Sequence, residues 1–266
     1  MIKFTNTIKA EFLNLLGELK AYYIDYIFHN FNIFMLFLGL FYGMNKDMSS
    51  PDEIVFFIVG LIVWWYATIS IQSVSIIVQS EARQGTLEQI FMTKTDMSVL
   101  ILCRLIANYL FETLQMIFVV SLCIISFGLT SSFQWGISFI NIIINILVCL
   151  IGLSGMGYFV AGLAIIYKKV DAIARATSNL ILFFSGLIIP LSAIPNMFHI
   201  FAKLFPFYWS MESIKNSTYN SLSILGLGTS EFAWLFGISV FWMLVGIMSF
   251  KTSIATALKK GSISHY

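Results

Sequence analysis

The chain has 266 residues, of which 59% are hydrophobic and only 11% charged, with a net charge of +2. An average soluble domain carries about 25% charged residues, so the composition excludes one and points to an integral membrane protein. The small net charge, with no dense Lys/Arg cluster, gives no basis for a nucleic-acid partner.

The first 21 residues carry Lys3, Lys9, Glu11, Glu18 and Lys20 and no continuous apolar core, which does not fit a cleavable signal peptide. Phe4, Ile8, Phe12, Leu15, Leu16 and Leu19 fall on one stripe at about 100° per residue, with Lys3, Lys9, Asn14 and Glu18 outside it. That pattern predicts an amphipathic helix lying on the membrane surface. Six apolar runs then reach the roughly 20 residues a spanning helix needs: Tyr22–Gly43, Ile54–Val78, Val99–Gly128, Gly136–Tyr167, Ala172–Ile189 and Phe232–Phe250. The third and fourth exceed the hydrocarbon thickness, so tilt or interfacial extension is expected. The region 190–231 contains Pro195, His199, Lys203 and Pro206 and reads as short helices dipping into the outer leaflet.

Six spans leave the termini, the loop after span two with Arg104, and the loop 168–175 on one side. These hold Lys3, Lys9, Lys20, Arg83, Lys94, Arg104, Lys168, Lys169, Arg175, Lys251, Lys259 and Lys260, whereas the other side holds Lys46, Lys203 and Lys215. Lys and Arg concentrate on the cytoplasmic side of membrane proteins, so both termini are expected in the cytoplasm of a multi-pass protein of the plasma or inner membrane. No internal repeat or linker interrupts the chain, and 1–266 reads as one all-α membrane domain.

Ser80–Thr93 is a charged island between two long apolar runs, on the cytoplasmic side of this topology. Gly85 should break the helix and Thr86–Met92 should start a short new one, with Glu88 in the first turn favourable to the helix dipole. Glu81, Arg83 and Glu88 are expected to face water. A solvated loop and a docking element for another protein are both compatible with these residues.

Inside the spans, Glu112 is the one charge well away from the headgroups. A carboxylate there costs on the order of 3 kcal/mol on insertion scales, so it should face the bundle interior or find a partner; a hydrogen bond between helices and a place on a cargo path are both open. Arg104 lies two turns away, out of reach along one helix. Asp25 and His29, four residues apart at the start of span one, could pair locally or touch a partner's helices, and read as an interfacial anchor. Gly152, Ser154, Gly155, Gly157, Ala161 and Gly162 concentrate small residues in span four and predict close helix packing within the chain. Phe28, Phe31, Phe34, Phe37, Phe41 and Tyr42 in span one fit lipid contact as readily as a cargo path. Trp64, Trp65, Tyr208 and Trp209 are candidates for an interfacial belt. Cys103, Cys123 and Cys149 lie in apolar runs and read as small packing residues. They and the histidines His29, His199 and His265 show no metal spacing, no nucleophile–base pair stands out, and no Gly-x-x-x-x-Gly-Lys-Ser/Thr loop is present to cradle phosphate.

Glu81-Ala82-Arg83-Gln84-Gly85-Thr86-Leu87-Glu88-Gln89-Ile90 resembles the Glu-x-x-x-Gly-Thr-Leu-Glu pattern that follows span two in ABC-2-type permeases, the membrane subunits of ABC exporters. Ser185-Gly186, Pro190, Ile194-Pro195 and Phe205-Pro206 resemble that family's second signature, around span five and the outer re-entrant helices. The likeness extends over the whole chain. It departs where the family often has Thr-Pro and this chain has Thr93-Lys94-Thr95, and where its Leu-Pro is Ile194-Pro195. The resemblance implies a coupling helix between the pair of spans one and two and the pair three and four, with Glu81, Arg83, Gly85, Thr86, Leu87, Glu88, Ile90 and Phe91 meeting an ATPase. It implies a re-entrant signature at Ser185, Gly186, Pro190, Pro195 and Pro206. It also implies two ABC ATPase subunits that bind ATP and Mg, no cofactor in this chain, and a second membrane subunit, a homodimer being favoured. The expected activity is export of a drug, antibiotic or peptide, with lipid-linked polysaccharide as the alternative; a stand-alone channel or secondary carrier would need more mid-membrane charge than Glu112 supplies.

Overall fold

The structure is a computed structural model that describes residues 2–43, 51–85, 89–90, 96–127, 137–167, 169–184, 195–219 and 229–260. Among the described residues the main elements are nine helices: α1 Ile2–Ala21, α2 Tyr23–Gly43, α3 Pro51–Arg83, α4 Met97–Ser126, α5 Ile137–Tyr167, α6 Asp171–Phe184, α7 Asn196–Leu204, α8 Pro206–Tyr219 and α9 Ser230–Lys260. No strand occurs among the described residues. Among the described residues, five helices are long and apolar enough to cross a membrane: Tyr23–Gly43, Glu53–Ala82, Met97–Ser126, Ile140–Tyr167 and Ser230–Lys259. The fifth expected span is described only as the 14 residues of α6, because 185–189 lie outside the described residues.

Several of these helices run past the apolar stretches that predict them. α3 has 33 residues, about 50 Å at 1.5 Å per residue, and carries the chain through Ser80–Arg83. α1 and α2 are separated only at Tyr22, whose N–H still reaches Glu18 O at 2.8 Å. As the stripe predicts, Phe4, Ile8, Phe12, Leu15, Leu16 and Leu19 are each partly buried, and α1 lies along α4. Glu11 is partly buried on that same side of the helix.

The core sits where α5 packs on α9 and α3. A side-chain atom at Gly155 would strike the backbone of Trp242 and Met243, one at Gly246 the carbonyl of Gly155, and one at Gly157 the carbonyl of Ser70. Backbones approach this closely only where both surfaces lack side chains, so the small residues of span four pack within the chain. Hydroxyl groups bind the same layer: Tyr109 bonds Ser70 and, at 2.9 Å, Ser154, and Tyr66 bonds Thr113 at 2.7 Å.

On the far side of the bundle, α7 and α8 form a short helical hairpin. Pro206 opens α8, the position where a missing N–H costs nothing, and packs against Gly152. Trp209 Nε1 donates to Lys203 O at 2.8 Å and Trp242 Nε1 to Leu204 O at 2.7 Å. Two indoles thereby satisfy carbonyls that a nine-residue helix leaves open at its C-terminus.

Candidate functional site

The island begins as the last turn of α3. Gln84 N bonds Ser80 O at 3.0 Å and Gly85 N bonds Ala82 O at 3.2 Å, with Gly85 at φ 71°. That left-handed conformation suits glycine and ends helices, so Gly85 breaks the helix where the sequence predicts. Gln89 and Ile90 are helical again, and Ile90 packs partly on the core. Thr86, Leu87, Glu88 and Phe91 lie outside the described residues, and Arg83 is placed as the last residue of α3.

Glu81 corrects the expectation of a water-facing side chain. It lies one helical turn before Gly85, and its Oε1 accepts from Arg104 Nη1 at 2.6 Å. The Nε of the same guanidinium donates to Glu11 Oε1 at 2.9 Å. Side-chain exposures of 22% for Arg104, 25% for Glu11 and 13% for Glu81 put the three at a partly dry boundary. One planar fork therefore joins α1, the end of α3 and α4. Arg is suited to this because its donors are fixed and its charge is permanent. Membership of Arg104 and Glu81 in one group follows from neither spacing nor charge count. Glu11 leaves a trace in the sequence, since at about 100° per residue it falls at the margin of the apolar stripe of α1, beside Phe4.

Other polar contacts extend this edge of the bundle. Gln79 Nε2 donates to Asp171 Oδ1 at 2.9 Å, tying α3 to the start of α6. Asp96 caps α4 by accepting from Ser98 N at 2.9 Å and lies 3.7 Å from Lys251 of α9. Tyr158 of α5 donates to Ser98 O at 2.6 Å. Five helices besides α1 thus meet within a few turns of the island.

Eight residues beyond Arg104, about 12 Å along the axis of α4, Glu112 is partly buried and accepts from Trp65 Nε1 at 3.2 Å through Oε2. His29 lies over Trp65 with ring centroids 5.6 Å apart, and no ion pair joins it to the exposed Asp25 among the described residues. Trp65 is therefore a helix-joining residue rather than a belt residue. The same holds for Trp64, which is buried and donates to Ser178 O of α6 at 3.2 Å. Nothing in the sequence pattern singles out Trp65 as the partner of Glu112, because the pairing depends on the register of two distant helices.

The second signature is described in part. Pro195 precedes α7 and Pro206 starts α8; Ser185, Gly186 and Pro190 lie outside the described residues. No group of His, Cys, Asp and Glu suited to a metal ion occurs among the described residues.

Long apolar helices, an amphipathic N-terminal helix clasped to them by charge, and a polar edge gathered at one interhelical turn mark a multi-pass helical membrane domain. The chain belongs to the ABC-2 type transporter family, whose model matches residues 3–219, from α1 to the end of α8. It is thus the membrane domain of an ABC transporter, a family that works with an ABC ATPase. A search of curated proteins gives no match.

Proposed function

We propose that this chain is the permease subunit of an ATP-driven exporter whose nucleotide sites reside on a separate polypeptide. Two copies, as a homodimer, would work with two ATPases, with both termini and the island in the cytoplasm. The observation that carries the reading is the Arg104 clasp. The island is where an ATPase would press, and the clasp couples the turn before it to α1 and α4. A push on Thr86–Phe91 would then move a surface helix and a spanning helix together. Such rigid displacements of packed helices switch access between two arrangements without chemistry in the moving chain. The cargo is hydrophobic or amphipathic and moves outward. A drug, antibiotic or peptide is preferred to a lipid-linked polysaccharide on the likeness of the Gly85-Thr86-Leu87-Glu88 stretch alone, an analogy of family rather than of site.

Purification of the tagged chain from its native cells, in the presence of a non-hydrolysable ATP analogue, tests the assembly. Recovery of an ABC ATPase in equal amount is expected, and its loss when Glu88 is changed to Lys would locate the contact. A chain that never retains an ATPase, even with the nucleotide trap, sinks the proposal.

A further inference from the structure

The group around Glu112 has the makings of a ligand site. Its carboxylate receives one N–H, from Trp65 at 3.2 Å, and forms no ion pair among the described residues, Arg104 being engaged by Glu11 and Glu81. The parallel helices α2 and α4 are in register through Tyr26 with Phe111, 5.5 Å between centroids, and Phe41 with Phe127, 4.1 Å. One turn beyond the first pair come Asn30 and Gln115, which are 8% and 5% exposed. Asn30 Oδ1 and both polar atoms of the Gln115 side chain lack a hydrogen-bond partner. Buried polar atoms left unpaired are costly, so each favours a ligand that pairs it. A charge and two unsatisfied amides thus fall within about one helical turn of each other, beside the indole of Trp65 and the rings of Tyr26 and His29.

The surroundings indicate what would satisfy the oxygens of this group. Phe28, Phe31, Leu114 and Ile117 near this level are exposed on the chain, so the approach is apolar rather than aqueous. About 12 Å from the level of Arg104 is within the inner half of a roughly 30 Å hydrocarbon core. A hydrated inorganic ion would shed its water against an oily rim. An ammonium group on an apolar body would instead arrive through the lipid, donate to the carboxylate and amide oxygens, and rest against indole and phenol faces. We infer that the α2–α3–α4 cluster of Glu112, Asn30, Gln115 and Trp65 binds the protonated amine of a lipophilic cation. This names a cargo class for the permease and rests on that reading.

The test uses the full-length chain in nanodiscs of zwitterionic lipid, without ATPase, and a dansylated dodecane diamine with one free ammonium end. Saturable binding is expected. Glu112→Gln, which retains an acceptor for Trp65, should weaken it about tenfold or more, and Gln115→Leu by a smaller factor. The acetylated, neutral form of the probe should bind more weakly, and equally to wild type and Glu112→Gln. Equal affinity of the charged probe for wild type and Glu112→Gln overturns the inference. Displacement of the probe by sodium but not by N-methylglucamine at equal ionic strength also overturns it, by marking an inorganic cation site. Because no ATPase is present, this result stands or falls separately from the assembly test.

Discussion

Arg104 satisfies two carboxylates with one guanidinium, and the three side chains come from elements that are far apart in sequence. Removing the cation would leave Glu11 and Glu81, two like charges, at a partly dry boundary without the guanidinium that joins them. A fully buried pair broken in this way costs about 3–5 kcal/mol; exposures of 13–25% reduce this to about 1–3 kcal/mol. Arg104→Gln should therefore lower the unfolding temperature of the purified chain more than Glu11→Gln does. Arg104→Lys should fall between them and wild type, since it keeps the charge but loses the fork. Thermal unfolding followed by intrinsic fluorescence would measure the order. Arg104→Gln as stable as wild type would mean that the clasp holds nothing together, and the lever between island and bundle would lose its joint.

At the scale of elements, the crossing of α5 and α9 is set by glycine on both sides. Gly155 and Gly246 leave no room for a methyl group, and the atoms in the way are backbone carbonyl and amide groups that cannot rotate aside. Gly155→Ala should thus destabilise by about 1–3 kcal/mol, the usual cost of overpacking, despite alanine's better helix propensity. Gly39→Ala is the matched control: nothing lies within 4 Å of a Cβ there, and the substitution should gain about 0.5–1 kcal/mol from propensity. Equal stability of the two variants in urea titration would refute the close crossing. The small-residue face of α5 is legible in the sequence because Gly152, Ser154, Gly155 and Gly157 cluster. Its partner is not. Trp242, Gly246 and Phe250 lie in a helix that is apolar all round, where periodicity no longer distinguishes a protein-facing side from a lipid-facing one. The same limit hides Trp65 from Glu112.

For the whole molecule, what the sequence carries well is what composition and local backbone chemistry decide: the long apolar helices, the amphipathic stripe of α1 and the break at Gly85. Pairings between helices are decided instead by shape and register in three dimensions, which is why Glu11, Glu81 and Arg104 meet without a sequence signal that they do. Orientation belongs to the first kind of argument, since twelve of the 15 Lys and Arg fall on one side of a six-span topology. It can be tested with single cysteines, because Cys103, Cys123 and Cys149 are buried and should give little background. A membrane-impermeant maleimide should label Lys203→Cys in intact cells, as Lys203 is exposed at the end of α7. It should label Lys251→Cys, near the Asp96 cap of α4, only in inverted vesicles. Lys169→Cys, just before α6, should behave like Lys251→Cys. If Lys169→Cys and Lys203→Cys label from the same side, the chain does not cross between them. The span expected at 172–189 would then be lost, and with it the even count that places both ends and the island together on the ATPase side.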